Sequence, residues 1–531
     1  MKVVFRVDAS FKIGTGHVTR CLTLADGLRA RQLDPYFVCR EHPGNMIEAI
    51  RKRGYIVMRL PAGPGPLQAD PVADGSQPTH FDWLGCHWHT DAEQTLSAVQ
   101  ALKPDMLVID HYAIDIRWEE VLRPHVRRLM VIDDLANRRH LCDFLLDQNW
   151  FGGVLSHRYQ GLVPENCVSM LGPSYALLKP EYATLRELML PFDGEVRRVL
   201  VFMGGSDPSN ETGKVIEALT SPDLTYLQVD VVIGANHPDP SAIAEMAEAR
   251  QRTRVYTGLA SLAGLMIRAD LMIGGGGATT WERMSLGLPA LVVCIADNQV
   301  EMSRALSEAG YLKLIGSKDD VNASLISDAV RAVLDKQAML SAISSRSRDL
   351  VRGDGTDRVC DAILPTSYDN GSHPSISQPR RMPGKLQVRR ACLDDAGMLF
   401  EWRNDLRTRR YFRNAAPLSR SGHMKWFSQT LANERSELLV VLFGGHAVGC
   451  VRFDIDSEQA QVSIYLDPSR HGRGLGGAVL HQAMEWMHLA HPLVTLFCAE
   501  VLIENSASAK LFQRYGYSLA RQKFEFRKPA K

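Results

Sequence analysis

The chain has 531 residues, with 61 Lys and Arg against 60 Asp and Glu, so its formal net charge is +1. That balance, with an ordinary apolar fraction of 45%, argues against nucleic acid or an anionic membrane as partner. At about 150 residues per domain the length calls for three or four domains rather than one core. The ten cysteines are scattered with no Cys-x-x-Cys, which predicts reduced thiols and neither a disulfide framework nor a zinc site. The N-terminus enters a strand without a charged and apolar leader, and no apolar run reaches membrane-span length, so a cytoplasmic protein is expected.

The run Val3–Val7 reads as a strand that breaks at Gly14 and Gly16, after which Val18, Cys21, Leu22, Leu24, Ala25 and Leu28 mark an amphipathic helix. This puts His17 at a helix N-terminus. The glycines allow positive φ and close approach of a ligand, and the first helical N–H groups favour phosphate or sugar oxygens. Up to about Leu190, apolar runs alternate with helical patterns: Tyr36–Cys39, Ile56–Leu60, Met106–Asp110, Leu129–Asp133 and Phe144–Leu146. Such alternation predicts a parallel sheet with helices on both faces and ligands beyond the C-terminal strand ends. Polar residues directly after strands, including Asp110-His111-Tyr112 and Asp133-Asp134, are then site candidates or strand-end caps. The Pro- and Gly-rich stretch from Pro61 to Thr90, with Trp83, His87, Trp88 and His89 interspersed, reads as a long surface loop. Two histidines without carboxylate or thiol partners make a poor metal site, so no metal is predicted.

A second unit begins near residue 191, where Val199–Met203 leads into Gly204, Gly205 and Ser206, a strand followed by an anion loop. Further on, Leu271-Met272-Ile273 runs into four glycines, then Ala278, Thr279, Thr280 and Glu282 at a helix start. A diphosphate can lie against those amides, with the Gly277, Ala278, Thr279 and Thr280 segment as cradle, and Glu282, one turn in, can accept ribose hydroxyls. Asn298 and Gln299 follow the next strand. Residues 365–385 change to Pro, Ser, Gly and Asn, a composition that cannot bury a core and so predicts a linker. Beyond it, the strand ending in Leu466 meets Gly472-Arg473-Gly474-Leu475-Gly476-Gly477 and a long amphipathic helix, a third glycine cradle for a pyrophosphate.

Arg6, Asp8, Gly14, Gly16, His17 and Arg20 together resemble the opening signature of the PseG family, UDP-sugar hydrolases of pseudaminic acid biosynthesis with a GT-B-like fold. In that family the residue matching His17 is catalytic. The segments around Asp110–Tyr112, Asp133-Asp134, Leu146–Asn149 and Gly172–Leu178 resemble PseG as well. Gly277-Ala278-Thr279-Thr280-x-Glu282, with Asn298-Gln299, resembles the nucleotide-binding half of PseG and of MurG-type transferases, which implies that Glu282 holds the uridine ribose. The Gly472–Gly477 turn and Asn505 resemble GNAT acetyltransferases, and Trp402-Arg403-Asn404 with His423 and Trp426 is similar to the PseH-like branch. Phe512 stands where many GNAT enzymes place a tyrosine acid.

These readings predict an α/β chain with two doubly wound Rossmann-like halves, 1–190 and 191–364, then the linker and a C-terminal GNAT α/β domain over 386–531. The resemblance implies UDP-sugar and acetyl-CoA as partners. The expected catalytic residues are His17, Asp8 and Tyr112. The expected UDP-sugar contacts are Gly14, Gly16 and Arg20 in the first half, and Gly204, Gly205, Ser206, Gly277, Ala278, Thr279, Thr280, Glu282, Asn298 and Gln299 in the second. Leu466, Gly472, Arg473, Gly474, Gly476, Gly477 and Asn505 are expected at acetyl-CoA. The rival reading is a GT-B glycosyltransferase carrying an inactive GNAT-like assembly module.

Overall fold

The computed structural model describes residues 1–63, 78–189, 192, 194–364, 386–412, 414–471, 474–502 and 504–518. The predicted linker 365–385, the boundary at 190 and 191, and the candidates Gly472 and Arg473 lie outside the described residues. The chain divides into two compact units, the first carrying two parallel sheets and the second a mixed one.

The first sheet contains β1 (Lys2–Val7), β2 (Asp34–Arg40), β3 (Ile56–Leu60), β4 (Met106–Asp110), β5 (Arg128–Ile132), β6 (Phe144–Asp147) and β7 (Val168–Leu171). Their order is β3-β2-β1-β4-β5-β6-β7, all parallel. Alternate strand residues feed two cores. Val3, Phe5, Val7 and Val108 pack with Val18, Cys21 and Leu24 of the helix Gly16–Ala30. Val4, Leu107 and Ile109 pack with Val99 and Trp118 on the other face. Each such aliphatic side chain contributes roughly 1.5–3 kcal/mol on burial, which explains why β4 is apolar along its whole interior.

The stretch predicted as a loop from Pro61 to Thr90 is corrected in part: Phe81–Leu84 forms a helical turn, and Trp88 starts the helix Trp88–Leu102. The His87 ring nitrogen accepts the His89 amide hydrogen and caps that helix, a role that the Pro and Gly content of the stretch obscures.

The second sheet contains β8 (Arg198–Phe202), β9 (Gln228–Ile233), β10 (Thr253–Thr257), β11 (Leu271–Gly275), β12 (Ala290–Cys294) and β13 (Lys313–Ser317). It has the parallel order β10-β9-β8-β11-β12-β13. In both sheets the strand order reverses once, between β1 and β4 and between β8 and β11, and a crevice opens at the C-terminal ends there. The helix Gly355–Ile363 follows the second sheet in sequence yet packs on the first, adding Val359, Cys360 and Ile363 to its core. A Cβ on Gly27 would lie 2.9 Å from Thr356 Cγ2, so the two helices meet closely there.

The second unit contains β14 (Leu386–Arg390), β15 (Ser436–Phe443), β16 (His446–Asp456), β17 (Gln459–Leu466) and β18 (Leu496–Ala499) in sequential order. Pairing is antiparallel except for β17 with β18, which run parallel and pair only over Gln459–Val462. The helix Leu475–Ala490 buries Val479, Leu480, Ala483 and Met487. Leu399 and Phe427, from the helices Ala396–Asn404 and Arg420–Ala432, share a core with Leu438, Val440 and Cys450. Among the described residues no helix is long and apolar enough to cross a membrane. The architecture is α/β throughout, two doubly wound halves followed by a mixed α/β domain.

Candidate functional site

After β1 the chain turns through Ser10, whose hydroxyl oxygen accepts the amide hydrogens of Lys12 and Ile13 at 3.2 and 2.9 Å. It then passes Gly14 at φ +79°, a left-handed value that side chains disfavour. Gly16 opens the helix and His17 follows. His17 Nδ1 lies 2.6 Å from Asp110 Oδ1. Asp110 ends β4 and stands opposite Val7 across the strand reversal. Arg20, one turn beyond His17, donates two hydrogen bonds of 2.6 Å to the same carboxylate and a third of 2.9 Å to Asp134. Burial alone would raise the Asp110 pKa, but Arg20 and then His17 hold it well below the ordinary carboxylate range. With a carboxylate on Nδ1, that nitrogen carries the hydrogen and Nε2 is the atom able to take a proton.

Asp110, a strand-end candidate in the sequence, is thus the carboxylate paired with His17, whereas Asp8, expected among the catalytic residues, lies in a separate network. Asp8 is buried at the end of β1, 2.8 Å from Arg6 and accepting the Arg40 amide hydrogen at 2.7 Å, with His111 and His42 at 3.4 and 3.6 Å. Arg6 and Arg40 share Asp91, each at 2.6 Å. This network fixes β1, β2 and the helix Trp88–Leu102 to one another below the site. Tyr112 lies at the site, its ring edge-on to His17 with centroids 4.6 Å apart. Burial, then Asp134, pushes its hydroxyl pKa well above the ordinary value. Trp83, from the turn Phe81–Leu84, stacks on Tyr112 at 5.5 Å and was not a candidate in the sequence. Nor was Asp147, which ends β6, accepts from the Tyr159 hydroxyl at 3.1 Å, and is raised to about 7 by burial and by Asp134 and Asp133.

The second half offers backbone where the first offers side chains. β8 runs into Gly204 at φ +106° and Gly205. A Cβ on Gly234, after β9, would lie 2.3 Å from the Gly204 carbonyl oxygen, and the Asn236 amide donates to Gly205 at 2.8 Å. Gly205 faces the first half: a Cβ there would come 3.4 Å from Thr15 Oγ1. The two reversal crevices therefore open toward each other. Other ties across the cleft run from Lys179 to the Ala260 carbonyl at 2.7 Å and from Arg186 to the Ser285 carbonyl at 2.9 Å.

Beyond β11, Gly277 and Ala278 lead into the helix Thr279–Leu286. The Gln299 carboxamide oxygen accepts the amide hydrogens of Gly276 and Ile295, each at 3.2 Å, and so braces the glycine loop against the end of β12; Asn298 beside it is exposed. Thr279 is partly exposed at the helix start. Thr280 is buried behind it, its hydroxyl accepting from Arg283, which also donates to the Gly275 carbonyl at 3.0 Å. Burial raises Glu282 to about 7, with the Tyr182 hydroxyl and Lys179 opposing. A helix N-terminus with a glycine lead-in suits a diphosphate, and a carboxyl one turn in suits a diol.

In the second unit the described β17–β18 ladder stops at Val462, and the Leu466 carbonyl beyond it lies 3.3 Å from His471 Nε2. Gly474, at φ +73°, precedes the helix Leu475–Ala490, and Gly476 and Gly477 lie in its first turn. A Cβ on Gly477 would lie 3.0 Å from the Tyr515 hydroxyl. These features fit a pyrophosphate and its extended arm. Asn505 is an N-cap: its side-chain oxygen accepts the Ser508 amide hydrogen at 3.1 Å. Phe512 is buried with its ring centroid 5.0 Å from that of Tyr517, whose hydroxyl contacts Met484 sulfur at 3.5 Å and is pushed up to about 12 by burial. The Tyr515 hydroxyl thus lies against the first turn of the helix Leu475–Ala490.

Residues 199–351 match the glycosyltransferase family 28 C-terminal domain, and residues 385–518 match the acetyltransferase (GNAT) domain. The chain therefore joins a half related to glycosyltransferases to a GNAT domain, which implies use of acetyl-CoA, and its first two halves are similar to a PseG hydrolase. It is 24% identical over 59% of its length to the UDP-2,4-diacetamido-2,4,6-trideoxy-beta-L-altropyranose hydrolase of Campylobacter jejuni, of which 98% is covered. The spore coat polysaccharide biosynthesis protein SpsG of Bacillus subtilis is 23% identical over 70% of this chain and 99% of its own. An uncharacterized protein of Methanocaldococcus jannaschii is similar through both units, 23% identical over 97% of this chain and 96% of its own.

Proposed function

We propose that the first two halves hydrolyse UDP-2,4-diacetamido-2,4,6-trideoxy-β-L-altrose to UDP and the free sugar, and that the GNAT domain acetylates the 4-amino group of the precursor. The observation that carries the hydrolytic reading is the His17–Asp110 pair at 2.6 Å, set where the first reversal crevice faces Gly205 of the second. Asp110 holds the Nδ1 hydrogen and orients the ring. Nε2 takes a proton from water as the water oxygen attacks the anomeric carbon and the bond to the UDP oxygen breaks. Arg20, by gripping Asp110 at both oxygens, keeps it anionic, so the imidazolium that forms is stabilised without losing its proton to the carboxylate. The amides around Gly277–Thr279 and the helix behind them receive the negative charge that develops on the diphosphate, while Glu282 holds the ribose.

In the GNAT domain the acyl donor supplies a thioester. This chain's part is to hold the extended arm of that donor where β17 and β18 part, and to provide a proton for the departing thiolate, for which Tyr515 stands in where Phe512 replaces the tyrosine. Incubating the pure protein with the diacetamido UDP-sugar and no acceptor tests the first activity; UDP should accumulate. UDP release that depends on an added acceptor would favour the transferase reading. Acetyl-CoA-dependent acetylation of the 4-amino UDP-sugar tests the second activity, and its absence would favour an assembly module.

A further inference from the structure

His17 is bounded on one side by ionised groups that are spent on one another, Asp110, Arg20 and Asp134. The other side is aromatic. His80, Trp83 and Tyr112 form a mutually packed trio, with ring centroids 4.4 Å apart for His80 and Trp83, and 5.5 Å for each of the other two pairs. Their planes are inclined by 25 to 37° only, so at these separations they stack on one another, and the stack makes one apolar wall. His17 stands edge-on to that wall, at 84° to Tyr112 and 83° to Trp83. Tyr112 is nearly sealed, while Trp83 and His80 are half-buried and keep ring surface open. An ion pair between Lys12 and Asp82 ties the turn that carries Trp83 to the glycine loop that carries His17. The ring contacts set the wall beside His17, and the exposed ion pair adds little to them.

We propose that the His80–Trp83–Tyr112 wall is the subsite for the methyl-bearing, hydroxyl-free edge of a 6-deoxy sugar, and that Trp83 determines specificity there. The inference rests on the UDP-sugar hydrolase reading and adds to it the basis on which the sugar is chosen. The Tyr112 hydroxyl is directed to Asp134 and the His80 ring is kept toward its neutral form by burial, so the wall presents aromatic surface rather than charge. Sugar C–H and methyl groups gain from burial against such a surface. A 6-hydroxyl buried in the same place loses its water without gaining a partner. Apolar pockets discriminate against an added hydroxyl by about 10²-fold, and that is the size of preference expected here.

The test compares kcat/KM on the trideoxy UDP-sugar and on its 6-hydroxy counterpart for the full chain, Trp83→Ala and Trp83→Phe. The wild type should favour the deoxy sugar by about 10²-fold. Trp83→Ala should cut that ratio at least about tenfold, chiefly through loss on the deoxy sugar, while the Kd for UDP stays within about twofold because UDP is held by the other half. Trp83→Phe, which keeps a ring face, should retain most of the ratio. An unchanged ratio in Trp83→Ala with UDP binding intact would overturn the assignment. Should Trp83→Ala lose UDP binding or fold poorly, Trp83→Phe and a Trp83→Leu variant decide the matter: an equal ratio in Phe, Leu and wild type would overturn it. If the wild type releases UDP from neither sugar, the hydrolase reading falls by itself. Calorimetric binding of the two intact UDP-sugars then gives the same ratio, supporting or overturning the wall independently.

Discussion

The two doubly wound halves share one strand order and differ at every matching strand end. Where β1 leads to Asp8, β8 runs into Gly204; where β4 ends in Asp110, β11 ends in Gly275; where β5 leads to Asp133, β12 leads to Ile295. The first half thus places ionisable side chains around its reversal and the second half places bare amides. A bond-breaking site needs groups whose protonation changes, and these must be buried, paired and fixed in direction. A diphosphate needs close approach of N–H groups, which any side chain would obstruct. One scaffold can serve both proposed tasks because its crevice position is set by topology, while the residues at the strand ends are free to differ.

The largest effect that should separate the halves is on chemistry. His17→Ala should lower UDP release by about 10²–10⁴-fold and leave the UDP Kd unchanged, read by steady-state kinetics and calorimetry on one preparation. If UDP affinity fell equally, the division of labour between the halves would be wrong. Asp110→Asn should cost at least about 10² in kcat by removing the charge that orients His17 and stabilises its protonated form. It should also lower thermal stability, because Arg20 loses its main buried partner. A kcat loss without a stability loss would mean that Arg20 finds another anion.

The third prediction lies wholly in the second half. Gly234→Ala should weaken UDP binding at least about tenfold with little change in kcat at saturation, since the new Cβ would meet the Gly204 carbonyl and displace the anion loop. The smallest effect concerns Glu282, which in the free protein holds a proton up to about pH 7. Ribose hydroxyls prefer the carboxylate, so below pH 7 binding must displace that proton. UDP affinity should rise with pH toward about 7, by at most tenfold per unit, and then level off. Glu282→Gln should flatten that profile and weaken UDP by about tenfold at pH 8. A flat profile in the wild type would place the ribose elsewhere.

The glycine loops and His17 were legible in the sequence because strand, glycine turn and helix follow one another within a few residues. The order of the chain supplies that geometry directly. The Asp110 pairing was not legible, because it depends on β4 lying beside β1 rather than on spacing, and both Asp8 and Asp110 look alike as polar strand ends. Trp83 was hidden in a stretch whose Pro and Gly content suggests surface, although its ring stacks on Tyr112 at the site. Thr280 and Thr279 are adjacent, and helical rotation sends one hydroxyl inward to Arg283 and leaves the other at the opening, a distinction that helical period alone permits but does not locate. The strands β7, β9, β10, β13 and β18 were also missed; they lie in stretches where the helical and strand signals are short and mixed.

The return of the helix Gly355–Ile363 to the first sheet gives the protein an order of assembly. The first half is discontinuous in sequence, and its core lacks Val359, Cys360 and Ile363 until that helix has been made. During synthesis the second sheet, contiguous from β8 to β13, can close on its own. The first waits for roughly 190 further residues after its last strand, on the order of 10–40 s at ordinary elongation rates. Of the two doubly wound halves, the one made first is completed second, its core closed by a helix that follows the whole of the other sheet.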